Sequence, residues 1–352
     1  MEWPAGIGCL TGIARWKRAR VRRMTDGAPV RSTAKAAVAL AKARGGAVAC
    51  WASRVPDGLV ERAADAGVPV LWIEDGFLRS AGLGAALVQP GSLTIDHVCP
   101  YYDPRQASDL EKLLQTADFA PTELERARIL AATITASALT KYNLGGAPVE
   151  LPEGRRIVLV PGQVEADRSV LLGGLGLTMA DLLERVRAAE PDAFILYKPH
   201  PDVVAGLRGG ALDKAAALRF ADRLIPDADL VPLLDRVDAV HTLTSLTGFE
   251  ALLRGRKVIV HGQPFYAGWG LTHDRAPVAR RTRRRTLAEL VAAALIAYPR
   301  YADPSTGAPC TPEQFVARLA RKPAGRASLT RSVAARVAAW QAKRRDREQG
   351  TQ

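Results

Sequence analysis

A hydroxyl-rich turn between two buried-strand patterns is the first stretch of this chain that could do chemistry. The strand pattern Ala239–Leu243 leads into Ser245, Leu246 and Thr247, which are predicted to cap a helix and expose its first amides. Unpaired N–H groups and the positive end of the helix dipole favour a phosphate at such a position. Gly248 is expected to leave room for a ligand close to the backbone.

An aromatic, glycine-rich loop follows the second of these strand patterns. The loop contains Tyr266 and Trp269 and reads as exposed beside the helix N-terminus. A purely structural interpretation of the turn is that Thr247 and Glu250 form a capping box. Because an exposed aromatic loop has little structural use, we predict that the segment binds a ligand.

Two further strand patterns end in polar residues, one before Asp167 and one before Lys198 and His200. The carboxyl ends of parallel strands share one edge of a sheet, so Asp167, His200 and Ser245 should lie along that edge. Lys198 and His200 flank a proline and would present two cations to the phosphate. The alternative is a rigid loop with a satisfied imidazole.

The first half of the chain has a similar arrangement. The apolar run Val68–Ile73 leads into Glu74 and Asp75, and Arg79 and Ser80 follow in the same loop. Open α/β sheets bind ligands at such strand ends, and the nearby arginine makes a merely solvated turn less favoured. We predict that this loop also contributes to the ligand site.

Strand and helix patterns alternate along both halves, which is typical of an α/β fold. Residues 145–148 (Gly-Gly-Ala-Pro) read as a linker. We therefore predict an N-terminal domain over 1–145 and a C-terminal domain over 150–300. Residues 301–352 are predicted to form C-terminal helices and a basic tail.

Composition narrows the class of protein. The chain has 352 residues, 48% of them hydrophobic, which fits a soluble protein with two cores. Its net charge of +13 favours a polyanionic partner, which could be nucleic acid, an anionic membrane surface or a phosphorylated substrate. The four cysteines are far apart, so reduced thiols in a cytoplasmic protein are expected. We expect neither a signal peptide nor a membrane span.

Six motifs occur in order along the chain: EDGFLRSAGLG at 74–84, YYD at 101–103, KYN at 141–143, GQVEAD at 162–167, YKPHPD at 197–202, and SLTGFEALLRG followed by PFYAGWGLT within 245–272. Together they resemble the bacterial capsule polysaccharide synthesis proteins that act as retaining β-Kdo transferases. The resemblance implies a GT-B-like fold, in which two Rossmann-like domains face across a cleft. Some members of that family hold two such modules, and this chain has one.

The resemblance implies transfer of Kdo from CMP-β-Kdo to a phosphatidylglycerol-based lipid, which builds the oligo-Kdo linker of a capsule chain. It implies a nucleotide-sugar donor and a glycolipid acceptor, and neither a metal nor another cofactor. The sugar carries a carboxylate, so an arginine should contact it, and Arg79 and Arg168 are the candidates.

Retention of configuration requires two displacements or a front-face path, and the resemblance favours two displacements with a covalent Kdo intermediate on Asp167, with Glu165 as the second choice. Asp75 or Glu74 would then be the base that accepts the proton of the acceptor hydroxyl.

The resemblance also sharpens the donor site. The CMP phosphate would bind at Ser245 and Thr247, with bonds from Lys198 and His200, while Glu250 reaches the ribose hydroxyls. The full predicted set of binding residues is Arg79, Ser80, Lys141, Asn143, Gln163, Arg168, Lys198, His200, Pro201, Ser245, Leu246, Thr247, Glu250, Tyr266 and Trp269.

Two other functions remain open. One is a GT-B transferase that uses another nucleotide-activated sugar. The other is a basic nucleic-acid-binding protein, which leaves the motifs at 162–167 and 197–202 unexplained.

A lipid acceptor predicts a cytoplasmic protein that is peripheral at the inner membrane. The anionic surface would attract the basic run Arg15–Arg23, with Ile13, Trp16 and Val21 at the interface, or the tail after Lys322. A solvated basic face is the alternative. Other capsule synthesis and export proteins are candidate partners.

Overall fold

Two β-sheets form the framework of the protein, which a computed structural model describes over residues 6–80, 87–210 and 212–321. The strands in these ranges are β1 (Ile7–Thr11), β2 (Ala47–Trp51), β3 (Val70–Asp75), β4 (Ser92–Asp96), β5 (Ile157–Pro161), β6 (Phe194–Lys198), β7 (Arg223–Leu224), β8 (Ala239–Thr242), β9 (Lys257–Val260), β10 (His273–Asp274), β11 (Pro299–Ala302) and β12 (Pro309–Cys310).

Helices connect these strands, and polar residues cap several of them; Thr33, Ser108 and Thr178 each accept an amide hydrogen of the first turn. A 3₁₀ turn (Arg15–Lys17) precedes the first helix, and a π-helical turn (Ala292–Ala297) follows the twelfth. The helices are α1 (Arg18–Met24), α2 (Ala34–Ala43), α3 (Leu59–Asp65), α4 (Asp109–Thr116), α5 (Pro121–Ala136), α6 (Arg168–Gly173), α7 (Met179–Ala189), α8 (Pro201–Val204), α9 (Lys214–Leu218), α10 (Leu230–Leu234), α11 (Leu246–Leu253), α12 (Leu287–Val291) and α13 (Pro312–Arg321).

The second sheet has the order β10-β9-β8-β5-β6-β7, and its paired strands are all parallel. Every residue of β5 is buried, because helices cover both faces of the sheet: Leu159 packs into one core cluster and Val158 into another. This burial explains why the strand is a continuous apolar run. The ends of β5, β6 and β8 therefore share one edge, as the sequence predicted.

The first sheet is mixed, with the order β1-β2-β3-β4-β11-β12. Strands β1, β2 and β3 are parallel, while β4 runs antiparallel to β3 and β11 antiparallel to β4. Glu74 and Asp75 are the last residues of β3 and pair with Thr94 and Leu93 of β4. The acids therefore end a strand that has an antiparallel neighbour, unlike the acids of an all-parallel sheet, and the contribution of the loop after β3 to the ligand site stays a prediction.

The chain returns to the first sheet after completing the second. Strands β11 and β12 extend the first sheet, and α12 and α13 pack against α5 of the first half. The prediction that residues 301–352 form only helices and a tail misses these strands. The tail after Lys322 lies outside the described residues.

The basic run at 280–285 is tied to the first half of the protein. Arg280 and Arg281 both bind the buried carboxylate of Glu111 on α4, with Arg281 Nη2 at 2.8 Å from Glu111 Oε2. Arg285 Nε donates to Leu114 O at 2.6 Å. These side chains attach the returning segment to the first half. Because their donors are paired within the protein, they are poorly placed to bind the phosphates of a nucleic acid.

The basic run at 15–23 is also largely engaged in the fold. Ile13 and Val21 are 3% and 0% exposed, so two of the three apolar side chains predicted to meet a membrane belong to the protein core, while Trp16 is half-buried. Arg20 Nη1 donates to Asp303 O at 2.6 Å, and Lys17 pairs with Asp75. Among the described helices, none combines the length and apolarity needed to cross a bilayer.

Candidate functional site

A cavity of ≈ 720 Å³ opens at the shared edge of the second sheet and is lined by residues of both halves. Tyr101 and Tyr102 come from the first half, and residues 140–142 and 144–147 come from the segment between the sheets. The lining contains these predicted site residues: Lys141, Gln163, Asp167, Lys198, His200, Pro201, Ser245, Leu246, Thr247 and Glu250. Those outside the lining are Glu74, Asp75, Arg79, Ser80, Asn143, Glu165, Arg168, Tyr266 and Trp269.

Asp167 lies in the cavity wall as the N-cap of α6. Its Oδ1 accepts hydrogen bonds from the amide and the hydroxyl of Ser169 at 3.1 and 3.0 Å. Its Oδ2 lies 3.9 Å from Nη1 of Arg208, and the side chain is 43% exposed. The cap fixes the carboxylate while one oxygen remains open to an incoming group.

Glu165 has a different surrounding. Its Oε1 accepts the backbone N–H of Met179 at 2.8 Å, which anchors the first turn of α7. Arg168 is exposed, and its charge acts on the first half: it opposes the burial that raises the pKa of Tyr102, and it adds to the effect of Arg105, which lowers the pKa of Asp103. Asp167 is therefore the carboxylate of this motif that is best placed for chemistry in the cavity.

The turn before α11 is capped by Ser245, whose Oγ accepts the amide hydrogen of Thr247 at 3.2 Å. The alternative capping box of Thr247 and Glu250 is wrong, since Glu250 Oε1 instead accepts the backbone N–H of Lys141 at 2.7 Å. Burial raises the pKa of Glu250 to about 7. The hydrogen bond from the Lys141 N–H to Glu250 joins the second half to the segment between the two sheets.

The aromatic loop is part of the core, which corrects the prediction that it is exposed. Tyr266 and Trp269 are both 0% exposed, and Tyr266 Oη donates to Ser245 O at 2.5 Å. A Cβ on Gly248 would lie 2.3 Å from Tyr266 Oη, so the glycine makes room for this ring and not for a ligand. The loop supports the turn at Ser245 from behind.

Gln163, Lys198 and His200 lie at the ends of neighbouring strands. Gln163 ties the loop after β8 to β5, because its amide accepts from Thr244 N at 3.0 Å and donates to Thr244 Oγ1 at 2.8 Å. Lys198 Nζ donates to Pro226 O at 3.2 Å, and burial lowers the pKa of this lysine.

His200 is the N-cap of α8, with Pro201 as the first helical residue. Its Nδ1 accepts the amide hydrogen of Asp202 at 3.1 Å, so the ring proton is on Nε2 in the neutral form. Burial lowers the pKa of His200. The predicted second cation is thus better described as a neutral hydrogen-bond donor.

In the first half, Asp75 belongs to a network of buried charges. Lys17 Nζ lies 3.3 Å from Asp75 Oδ2 and 3.6 Å above the ring of Trp51, and Arg79 Nε lies 2.8 Å from the same oxygen. Arg79 is 1% exposed and also donates to Ser80 Oγ and to the carbonyl of Val88. Arg79 therefore holds Asp75 and is not placed to contact a sugar carboxylate.

Glu74 and Asp75 have pKa values shifted in opposite directions. Burial, and then the charge of Asp75, raises the pKa of Glu74 to about 7. Burial also acts to raise the pKa of Asp75, but Lys17 and Arg79 outweigh it and lower that pKa. Tyr102 lines the cavity and donates to Glu74 Oε2 at 3.0 Å, which connects the acid to the cavity.

The turn at 140–143 joins this network to the cavity. Asn143 has a left-handed φ of 50°, and its Nδ2 donates to Ser80 O at 3.0 Å, so both residues hold the turn in place. Lys141 O accepts the amide hydrogens of Arg79 and Ser80, while its side chain lines the cavity. Burial acts to lower the pKa of Lys141, but neighbouring tyrosines, Asp75 and Asp167 outweigh it and raise that pKa.

Comparison with known proteins identifies the family. Residues 46–144 and 144–301 match the family described as capsule polysaccharide biosynthesis protein. The chain belongs to this family. The resemblance read from the six motifs is confirmed.

Two curated relatives share 45% identity with the chain over the aligned residues. The capsule polysaccharide modification protein LipA of Neisseria meningitidis serogroup A aligns over 252 residues, which are 71% of this chain and 36% of LipA. The lipopolysaccharide-processing protein LpsZ of Rhizobium meliloti aligns over 264 residues, which are 73% of this chain and 60% of LpsZ. The chain thus spans about a third of LipA and less than two thirds of LpsZ.

Two solved structures are similar over most of the chain. The KpsC β-Kdo 2,4 transferase of Thermosulfurimonas dismutans has a TM-score of 0.78 at 33% identity, and the match covers 89% of this chain and 98% of that one. The KpsC β-Kdo 2,7 transferase of the same organism has a TM-score of 0.75 at 32% identity, with the same coverage.

In this capsule polysaccharide biosynthesis protein, sequence reasoning missed three side chains near the site. Lys17 belongs to the basic run predicted to face a membrane, and its pairing with Asp75 across 58 positions leaves no local signal in the sequence. Tyr102 belongs to the YYD motif but was given no role. Arg208 stands in a glycine-rich loop without any motif. Within the described ranges, no group of three or more His, Cys, Asp or Glu side chains is arranged to hold a metal ion.

Proposed function

We propose that this chain is a retaining β-Kdo transferase module that moves Kdo from CMP-β-Kdo to a lipid-linked acceptor, a phosphatidylglycerol-based oligo-Kdo linker. The observation that carries the proposal is the open carboxylate oxygen of Asp167 in a cavity that also contains the Ser245 turn. The likeness to the two KpsC transferases supports the choice of sugar. In this proposal the two halves are the Rossmann-like domains of a GT-B arrangement.

The donor binds along the shared edge of the second sheet. Its phosphate accepts hydrogen bonds from the turn at Ser245 and Thr247 and from His200 Nε2, and Lys198 adds positive charge nearby. Glu250 accepts hydrogen bonds from the ribose hydroxyls. Burial raises the pKa of Glu250 to about 7 against the hydrogen bond from Lys141 and the charges of Arg254 and Lys141, and a buried carboxyl of this kind can accept hydrogen bonds from hydroxyls.

The first chemical step forms a covalent intermediate. Asp167 Oδ2 attacks the anomeric carbon, the bond from that carbon to the phosphate oxygen breaks, and CMP leaves with the electron pair. The acceptor hydroxyl then attacks the same carbon and displaces the Asp167 carboxylate. Two successive inversions give net retention of configuration.

The proton of the acceptor hydroxyl goes to Glu74 through the hydroxyl of Tyr102. A pKa of about 7 suits proton transfer near neutral pH, and Tyr102 provides the connection from the cavity to the carboxylate. Asp75 stays ionised between Lys17 and Arg79 and keeps the pKa of Glu74 high. Of the two acids left open by the sequence, Glu74 is thus our choice for the base.

The lipid acceptor makes the protein peripheral at the inner membrane, where other capsule synthesis and export proteins are candidate partners. The test of the function is incubation with CMP-Kdo and a short synthetic Kdo-lipid, followed by mass spectrometry of product and protein. We expect a lipid one Kdo heavier and, without acceptor, a protein one Kdo heavier. A chain that transfers no Kdo to any such lipid, and forms no adduct, contradicts the proposal.

A further inference from the structure

Arg208 lies beside the oxygen of Asp167 that α6 leaves open, next to side chains that line the cavity but outside the lining itself. Its Nη1 is 3.9 Å from Asp167 Oδ2, and the arginine side chain is 45% exposed. The backbone N–H of Arg208 donates to Asp202 O at 3.1 Å, which fixes the start of its loop against α8. The positive charge of Arg208 also reaches His200 in the cavity wall and acts to lower its pKa.

An ion pair at this distance and exposure contributes little to folding, typically about 0–1 kcal/mol. A structural purpose therefore does not explain why a guanidinium stands next to the reactive oxygen. At 3.9 Å the pair is also too long for a direct hydrogen bond. A second anion could therefore bind the same guanidinium without first breaking a hydrogen bond.

The chemistry of the donor supplies such an anion. In a 2-keto sugar acid the carboxylate is bonded directly to the anomeric carbon. A carboxylate nucleophile that attacks this carbon must approach a second negative charge, and the repulsion opposes the attack. A guanidinium beside the nucleophile offsets the repulsion and can bind the sugar carboxylate through a fork of N–H donors.

The other two arginines considered for this contact are less well placed. Arg79 is buried and holds Asp75 with the same donors that a sugar carboxylate would need. Arg168 follows Asp167 in the chain, but its charge acts on Tyr102 and Asp103 of the first half. Arg208 is the arginine that forms the ion pair with Asp167 among the described residues.

We propose that Arg208 is a specificity-determining residue that binds the carboxylate on the anomeric carbon of the donor and so selects 2-keto sugar acids over aldoses. This inference rests on the proposed Kdo transfer and deepens it. Before the reaction Arg208 is shared by Asp167 and the donor. Once Asp167 is esterified its charge is gone, and Arg208 pairs with the sugar carboxylate alone.

The experiment compares the full chain with Arg208→Met, Arg208→Lys and the control Arg44→Met, which changes an exposed arginine after α2 outside the cavity lining. Initial rates are measured against CMP-Kdo concentration, and the affinity for CMP is measured by calorimetry. We expect Arg208→Met to lower kcat/KM by about 10- to 100-fold, mainly through KM, because a charge-assisted hydrogen bond is lost. CMP affinity should be unchanged, because CMP has no sugar carboxylate, and Arg208→Lys should recover part of the loss.

Three results would overturn the inference. The first is a normal kcat/KM in Arg208→Met, and the second is an equal loss of CMP affinity. The third is a lower kcat with an unchanged KM and a shifted pH profile, because Arg208 would then act only through Asp167. If the parent chain transfers no Kdo, the proposed function is wrong and the inference fails with it. The other three results concern only variants of an active parent, so the two kinds of failure are distinguishable.

Discussion

Asp167 and Asp75 both come at or after the end of a buried strand, yet the protein treats them differently. At Asp167 the chain turns directly into α6, whose first turn binds one oxygen and leaves the other 3.9 Å from the nearest cation. At Asp75 the strand is flanked by antiparallel β4, and Lys17 and Arg79 enclose the carboxylate at 3.3 and 2.8 Å. The elements that surround the end of a strand thus decide whether an acid there keeps an open oxygen or is enclosed by cations.

The largest expected effect comes from Asp167→Asn. Asparagine caps a helix about as well as aspartate, so the free energy of unfolding should change by less than about 0.5 kcal/mol. Transfer should fall at least about 1,000-fold, because an amide is not a nucleophile. Mass spectrometry of the Kdo-lipid product and urea unfolding measure the two effects. Near-normal turnover would show that the nucleophile lies elsewhere.

The opposite outcome is expected for Asp75→Asn, which leaves Lys17 and Arg79 without their anion. The free energy of unfolding should fall by about 1–3 kcal/mol, since the cluster is buried but not completely so. CMP affinity should be unaffected, because Asp75 does not line the cavity. Urea denaturation of the variant checks this, with Asp213→Asn, an exposed helix cap, as the control. An unchanged free energy of unfolding in Asp75→Asn would contradict the structural role given to Asp75.

Glu74, next to Asp75, makes the free energy of unfolding depend on pH. Its pKa of about 7 lies above the usual value of 4.5, so the folded state holds a proton that the unfolded state has already lost between these pH values. Stability conferred by the protonated acid is present below pH 4.5 and is lost as the pH rises toward 7. In Glu74→Gln this loss should be smaller; Glu250, with a pKa of about 7, contributes a loss of the same sign, while His241 and His261, whose pKa values burial lowers to about 4, contribute a gain as the pH rises. Unfolding curves between pH 4 and 8 measure it.

The same variant tests catalysis. If Glu74 takes the acceptor proton, the transfer rate of the parent should rise with pH through about 7. Glu74→Gln should lose both the rise and most of the rate. A parallel pH profile in parent and variant would assign the proton to another group.

The smallest expected effect concerns the edge that Asp167 shares with His200. His200→Ala removes one neutral donor to the phosphate and should weaken CMP binding by about 1–3 kcal/mol, because the acceptor is charged. The exposed His273 on β10 provides the control, His273→Ala, which should bind CMP as the parent does. Equal affinities for CMP in all three proteins would place the phosphate away from α8.

The sequence predicts the second sheet and its edge well because the relevant signals are local. Continuous apolar runs indicate strands buried on both faces, and Thr178 and Ser245 mark helix starts through hydrogen bonds to residues two or three positions away. The positions of Asp167 and His200 on one edge follow from parallel pairing alone.

The rest depends on contacts between distant parts of the chain. Tyr266 and Trp269 read as an exposed loop because nothing nearby in sequence shows that the core encloses them. Arg281 and Lys17 look like members of basic runs, yet their partners are 170 and 58 positions away. A basic run in a sequence shows how many cations are close together along the chain. It does not show which of them form ion pairs inside the folded protein.

The polypeptide passes between the two sheets twice, once through residues 137–156 and once where Arg281 and Arg285 grip α4. The rings of Phe77 and Phe265 also meet between these crossings, with their centroids 4.3 Å apart, in a core cluster that takes side chains from both halves. Phe265 lines the cavity, so a substitution that changes the packing of Phe77 in the first half is transmitted directly to the cavity wall.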